Sequence, residues 1–135
     1  MPYPVARVYA AFADPKLKAR WFKGPPGWEE NKQTLDFKVG GLETSVGRPP
    51  GGPRIRMEGR FYDIVPEQRI VSAYEMWIGD SHMSVSLATT VFERDGDGTK
   101  MIFTEQAVYL DGNDGTAGRE QGTRGLFDAL EASLR

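Results

Sequence analysis

The sequence has no cysteine, one histidine and almost no net charge, and these shortages exclude several classes of function. Without cysteine the chain has no disulfide, no thiolate zinc site and no cysteine nucleophile. Its single histidine leaves little material for acid–base chemistry. The 17 basic and 19 acidic side chains give a formal charge of −2, which creates no field that attracts nucleic acid or anionic lipid. We therefore expect neither partner.

Long apolar runs are also lacking. No run approaches the roughly 20 residues of a membrane span, and the N-terminus lacks the basic and apolar regions of a signal peptide. We expect a soluble, cytoplasmic protein. No phosphate-cradling loop of the Walker type, metal triad or serine elbow is present, so we expect no cofactor and no metal.

Local patterns predict helices at both ends of the chain. The 135 residues suffice for one domain, 1–135, with one core. Apolar residues within 3–13 fall at helical spacing, and Asp14 before Pro15 is typical of an N-cap followed by a first-turn proline. About 20 residues at the C-terminus again carry apolar residues at helical spacing. This pattern predicts two short helices at the start and a long helix at the end.

Six strands are predicted between the helices. The cleanest alternation of apolar and charged residues runs from Ile55 to Phe61. Short turns separate the strands, which favours an antiparallel meander. The predicted strands are 35–39, 42–46, 55–61, 70–77, 82–93 and 100–109. The sequence therefore predicts an α+β fold, in which a curved antiparallel sheet wraps around the long C-terminal helix and leaves an apolar pocket.

The last helix carries a stripe of small residues. Gly118, Gly122, Gly125 and Ala129 recur at spacings of four, three and four, which places them on one face. Each interior glycine costs about 0.5–1 kcal/mol of helix stability relative to alanine. Two explanations stay open: close packing of the helix on the sheet, or room for a bound molecule beneath the helix.

Large rings and methionines are abundant for so small a chain. The sequence has three tryptophans, five tyrosines, seven phenylalanines and five methionines, more than a small core is expected to need. A curved sheet closed by one helix has a wide interior, which such side chains can line for a flat or flexible apolar ligand. The residues that we predict to line this site are Trp21, Phe37, Met57, Phe61, Trp77, Met83, Tyr109, Gly122 and Phe127.

Candidates for acid–base catalysis are few. His82 lies beside a turn, where a solvated strand end explains it. Glu105 shares one strand face with Phe103 and other apolar residues, and an acid on an apolar face is a candidate general acid. The opposite face is almost as apolar, so a surface position for Glu105 stays the favoured interpretation. Glu75 has the same status.

Short motifs over nearly the whole chain occur in an order and spacing that are specific when taken together. They are Val8–Phe12, Asp14-Pro15, Trp21-Phe22, Asp36 with Val39-Gly40-Gly41, Gly59-Arg60-Phe61, 65–71, 89–93, 98–101 and Gly122. In these motifs the chain resembles the activator of Hsp90 ATPase homologue-like family, within the START-like or polyketide-cyclase superfamily called SRPBCC. The resemblance implies a helix-grip fold with a deep hydrophobic cavity between the sheet and the last helix.

The chain departs from this family at its start. Family members begin with a strand before the first helix, whereas this sequence enters the helix almost at once. Lys38 and Asp63, where the family usually shows arginine and glutamate, are milder departures. Without the first strand, the strand 100–109 presents unpaired backbone groups. We therefore expect two copies to pair along that edge as a homodimer.

The resemblance leaves the function open. Relatives include lipid and polyketide binders, cyclases, and modules that stimulate a chaperone ATPase in the stress response. Because rings are abundant and catalytic groups few, we expect non-catalytic binding of a small hydrophobic molecule, such as a lipid or a polyketide-like compound. One alternative is a cyclase-like or hydrolase-like enzyme that uses Glu105 or His82. The other is a co-chaperone-like module that binds protein.

Overall fold

Two short helices open the chain. The computed structural model describes residues 1–135, with α1 at Val5–Ala13 and α2 at Pro15–Lys18. Asp14 separates them, and its side chain accepts a hydrogen bond from the backbone N–H of Lys16. The predicted N-cap and first-turn proline are therefore confirmed.

Six strands follow and form one antiparallel sheet. Each strand pairs with its neighbour in the sequence, so the order across the sheet is the order along the chain. The strands are β1 (Glu30–Leu35), β2 (Leu42–Arg48), β3 (Ile55–Val65), β4 (Arg69–Ile78), β5 (Ser81–Asp95) and β6 (Gly98–Tyr109). The predicted meander is confirmed.

The first strand lies earlier than predicted. β1 ends at Leu35, and the chain then turns back towards β2. In this turn the N–H of Gly41 donates to the carbonyl of Lys38, and a Cβ on Gly41 would lie 2.0 Å from the carbonyl oxygen of Asp36. The predicted strand 35–39 is wrong, because the glycine pair at its end lets the backbone close on itself there instead of bending a continuing strand.

The long helix α3 (Thr116–Ser133) lies over one face of the sheet. Its C-terminal half enters the hydrophobic core, where Leu130 and Leu134 are buried together with Val8 and Phe12 of α1. A fully buried leucine contributes about 1.5–3 kcal/mol, so these two side chains fix that end of the helix. The α+β, helix-grip arrangement is confirmed. No helix combines the length and the apolar character needed to span a bilayer.

No strand precedes α1. The N-terminal residues meet the free side of β6 at Thr99, whose carbonyl accepts from the ammonium of Met1 and whose N–H donates to the carbonyl of Met1. The hydroxyl of Thr99 donates to the carbonyl of Tyr3. A Cβ on Gly98 would stand 2.4 Å from the carbonyl oxygen of Met1, so this contact needs glycine there. Beyond this point β6 has no neighbouring strand on its outer side.

Candidate functional site

A large cavity lies between α3 and the sheet. Its volume is about 480 Å³, within the range of roughly 300–1,000 Å³ that is typical of small-molecule sites. The wall runs across the sheet from β1 to β6 and is completed by α3, by residues of α1 and α2, and by the segment that follows α2. Large apolar residues of the wall outside the predicted set include Phe12, Phe22, Trp28, Met76, Phe103 and Leu126.

The glycines of α3 leave this space open. Gly118 and Gly122 line the cavity, and apart from the adjacent residues and the backbone of α3 itself no atom lies within 4 Å of the positions that their Cβ atoms would take. Gly125 also has nothing within 4 Å but lies outside the cavity wall. Close packing therefore does not explain these glycines, whereas room beneath the helix explains two of them.

Six of the nine predicted ligand-contacting residues lie in the cavity wall. They come from α3, from the sheet and from the segments beside it, and pack around one space although they are far apart in sequence. These residues are Trp21, Phe37, Met57, Phe61, Gly122 and Phe127. Their contact with a ligand stays a prediction.

Trp77 lies on the outer face of the sheet, and this corrects its predicted place. Its neighbour Met76 lines the cavity, and because successive strand residues face opposite sides, Trp77 faces away. The guanidinium of Arg56 lies 4.2 Å from the centre of one of its rings, and His82 stacks on it at 4.9 Å. The Nε2 atom of His82 lies 3.2 Å from a carboxylate oxygen of Glu75. The candidates His82 and Glu75 are thus outside the cavity.

Met83 and Tyr109 also lie outside the wall. Met83 is the extra residue of a bulge in β5, where the pairing with β4 skips one position. The ring of Tyr109 supports the start of α3, because a Cβ on Gly115 would lie only 2.6 Å from it. The Arg119 guanidinium lies 5.4 Å from the centre of the same ring. Both predicted wall positions are therefore corrected.

Glu105 lies inside the cavity wall and forms a buried ion pair. Its Oε2 atom lies 2.9 Å from Nη1 of Arg119, and the two side chains are only 11% and 15% exposed. The hydroxyl of Tyr74 donates to Oε1 of Glu105 at 2.6 Å and accepts from Nη1 of Arg119 at 3.0 Å. The favoured surface interpretation of Glu105 is wrong, because β6 turns its Phe103 face inward.

Two buried serines complete this polar cluster. Ser86 accepts from Nη1 of Arg119 at 3.1 Å, and Ser84 accepts from Nη2 at 2.8 Å. Burial, followed by the hydrogen bond to Glu105, raises the pKa of Tyr74, so its hydroxyl keeps its proton. Burial alone would lower the pKa of Arg119, but Tyr74 and Glu105 outweigh it and raise that pKa. The cluster is a neutral assembly of one cation, one carboxylate and three hydroxyls.

The sequence carried a signal for Arg119 that was missed. Arg119 lies three residues before Gly122, which places both on neighbouring positions of one helix face. A carboxylate on an apolar strand face needs a positive partner, since an unpaired buried charge is costly. Arg119 is one of two basic residues beside the glycine stripe, with Arg124, and either could supply this partner on sequence alone.

A second ion pair lines the opposite side of the cavity. Lys18 at the end of α2 contacts the carboxylate of Glu43 on β2, and both side chains are almost fully buried. The Lys18 ammonium also lies 4.7 Å from the ring centre of Phe22. The cavity therefore has an apolar middle with a compensated ion pair on either side. No group of three or more histidine, aspartate or glutamate side chains comes together as a metal site.

Comparisons with known proteins agree with this geometry. A family model described as "Activator of Hsp90 ATPase homolog 1-like protein" matches residues 2–135. A protein of Rhizobium leguminosarum has a similar structure, with 40% identity, a TM-score of 0.93, and coverage of 99% of this chain and 88% of that chain. The Mll3558 protein of Rhizobium loti is 45% identical, with a TM-score of 0.89 and coverage of 98% and 90%.

More distant structures share the fold alone. CalU16 of Micromonospora echinospora is 19% identical, with a TM-score of 0.67, and the match covers 99% of this chain and 71% of that chain. Among curated proteins, none matches this chain.

Proposed function

We propose that this chain, which belongs to the Activator of Hsp90 ATPase homolog 1-like family, binds one small apolar molecule in the cavity between α3 and the sheet. The cavity itself carries the proposal. It has the volume of a small-molecule site, its walls hold many rings, and the helix above it keeps glycines where other residues would fill the space. Lipid or polyketide-like molecules fit such walls.

Binding without catalysis is favoured over an enzymatic role. Of the acid–base candidates predicted from the sequence, His82 lies outside the cavity and Glu105 lies in its wall, and the other carboxylate of the wall, Glu43, is paired with Lys18. Both oxygens of Glu105 already accept hydrogen bonds, one from Tyr74 and one from Arg119. A cyclase-like or hydrolase-like activity that uses Glu105 as a base would have to protonate it, and this would leave the charge of Arg119 without its partner.

The family name points to a second candidate, which is a co-chaperone-like interaction with protein. Such a module needs an exposed surface rather than an internal cavity. Exposed apolar side chains do lie on the outer face of β5 and β6, where Val85 is paired with Val108. Failure of an Hsp90-type chaperone to retain this protein in a pull-down, or to change its ATPase rate on addition, would remove this candidate.

We also propose a homodimer, formed through the outer edge of β6. β6 has a free edge beyond Thr99, and Val108 is well exposed beside it. Two copies pairing along this edge would cover both. Light scattering that gives the mass of a monomer at high protein concentration would contradict the dimer.

Tryptophan emission can test ligand binding because the three tryptophans lie on different sides of the sheet. Trp21 and Trp28 line the cavity, whereas Trp77 lies on the outer face. A bromine atom quenches only the rings that it approaches closely, so para-bromobiphenyl reports where it binds. We expect saturable quenching of the wild-type protein.

Two variants serve as the matched controls. Trp77→Phe should keep the full quenching, because both cavity reporters remain. The variant Trp21→Phe/Trp28→Phe retains only Trp77 and should lose the quenching while its circular dichroism stays that of the folded protein. Absence of quenching in the wild type, or its loss in Trp77→Phe, would contradict the proposal.

A further inference from the structure

The polar cluster of Tyr74, Ser84, Ser86, Glu105 and Arg119 has hydrogen-bonding capacity that the protein does not use. Arginine has five N–H donors. The two N–H groups on Nη1 are shared among three acceptors, Glu105, Tyr74 and Ser86. One N–H group on Nη2 donates to Ser84. The Nε–H group and the second N–H of Nη2 have no acceptor in the protein.

Glu105 has matching spare capacity as an acceptor. A carboxylate offers about four lone-pair positions, and here Oε1 accepts one bond from Tyr74 and Oε2 one from Arg119. Three members of the cluster, Tyr74, Glu105 and Arg119, line the cavity. A ligand there therefore lies beside two residues with unused hydrogen-bonding capacity, a donor in Arg119 and an acceptor in Glu105.

The charge balance of the cluster determines which polar group of a ligand is favourable beside Glu105 and Arg119. The positive charge of Arg119 is already balanced by Glu105 at 2.9 Å. A ligand carboxylate would add a second negative charge beside Glu105, and a ligand ammonium would add a second positive charge beside Arg119. An uncompensated charge in a largely buried site is costly. A neutral group adds none.

A hydroxyl group carries no charge, and its single oxygen atom can both donate and accept a hydrogen bond. It donates its proton to the carboxylate of Glu105 and accepts an N–H from Arg119, so it uses both kinds of spare capacity. We infer that the ligand of this cavity is an uncharged, largely aromatic or otherwise apolar molecule whose hydroxyl group binds between Glu105 and Arg119. This inference rests on the proposed function, since it names the chemical class of the ligand.

The test compares four probes of one shape: biphenyl, para-phenylphenol, para-phenylbenzoate and para-phenylbenzylamine. Each is measured at pH 7, where the phenol is uncharged, by its ability to reverse the quenching of the wild-type protein by para-bromobiphenyl. Hydrogen bonds to charged groups are the stronger ones, so para-phenylphenol should bind at least about tenfold more tightly than the other three.

Two variants locate the preference. Glu105→Gln/Arg119→Met removes both charges together and should lose the preference for the phenol over biphenyl. Glu75→Gln, on the outer face, should keep that preference. The ranking in the wild type decides the inference even if the double variant does not fold.

The outcomes separate the inference from the function on which it rests. Equal affinity for biphenyl and para-phenylphenol, or tighter binding of the benzoate or the benzylamine, overturns the inference and leaves ligand binding in place. Binding of none of the four probes and no quenching by para-bromobiphenyl overturn both.

Discussion

Replacing Gly122 by leucine should stabilise the protein and weaken ligand binding at the same time. Leucine favours an α-helix over glycine by about 0.8 kcal/mol. Its side chain would also enter the cavity, where nothing lies within 4 Å of the Cβ position, and partial burial there adds about 1–2 kcal/mol. The free energy of unfolding should therefore rise by about 2 kcal/mol.

The matched control is Gly125→Leu. Gly125 has the same open surroundings within 4 Å but does not line the cavity. This control should gain only the helix term, about 0.8 kcal/mol, and should bind ligand as the wild type does. Urea unfolding followed by circular dichroism gives the free energies, and quenching by para-bromobiphenyl gives the dissociation constants.

A fall in the free energy of unfolding of Gly122→Leu would refute this reasoning. If the glycines were there for close packing, leucine at Gly122 would overfill the interface and destabilise the protein by about 1–3 kcal/mol. A Gly122→Leu protein that is less stable than the Gly125→Leu protein, or that binds ligand as tightly, would contradict an open cavity beneath α3.

Two further predictions concern charged groups. Arg119→Met leaves Glu105 buried without its partner and should lower the free energy of unfolding by about 3 kcal/mol. In urea unfolding, Arg119→Met/Glu105→Leu should recover most of that loss. Equal stability of the two variants would argue against the ion pair. The hydrogen bonds from Thr116 lower the pKa of Asp114 below its ordinary value. Because the folded pKa lies below the unfolded one, this contribution to stability is present at neutral pH and is lost as the pH falls through the folded pKa. A carboxyl titration by NMR that finds the ordinary pKa would contradict it.

Patterns that depend on neighbouring residues predicted most of the fold. The alternation from Ile55 to Phe61 and the Asp14-Pro15 cap describe local geometry, and both appear in the structure. The backbone conformation of the glycine pair at residues 40–41 was harder to predict, because a bulge within a strand and a reversal of the chain both favour glycine. Only the approach of Gly41 to the carbonyl of Asp36 distinguishes the two.

The site was less predictable because it depends on which face of each strand turns inward. In β4 both faces carry large side chains, and Met76 rather than Trp77 faces the cavity. The partnership of Arg119 with Glu105 joins two elements across a turn, and only the folded sheet brings Tyr74 to the same place. Periodicity within one element contains no information on such contacts.

The methionine methyl groups provide the most direct test of a ligand-filled cavity. Of the five methionines, Met57 and Met76 line the cavity, whereas Met1, Met83 and Met101 do not. In the protein labelled with ¹³C at these methyl groups, para-phenylphenol should shift the Met57 and Met76 signals, give intermolecular NOEs to them, and leave the signals of Met1 and Met83 in place. NOEs confined to Met83, or signals that do not respond at saturating phenol, would contradict binding beneath α3.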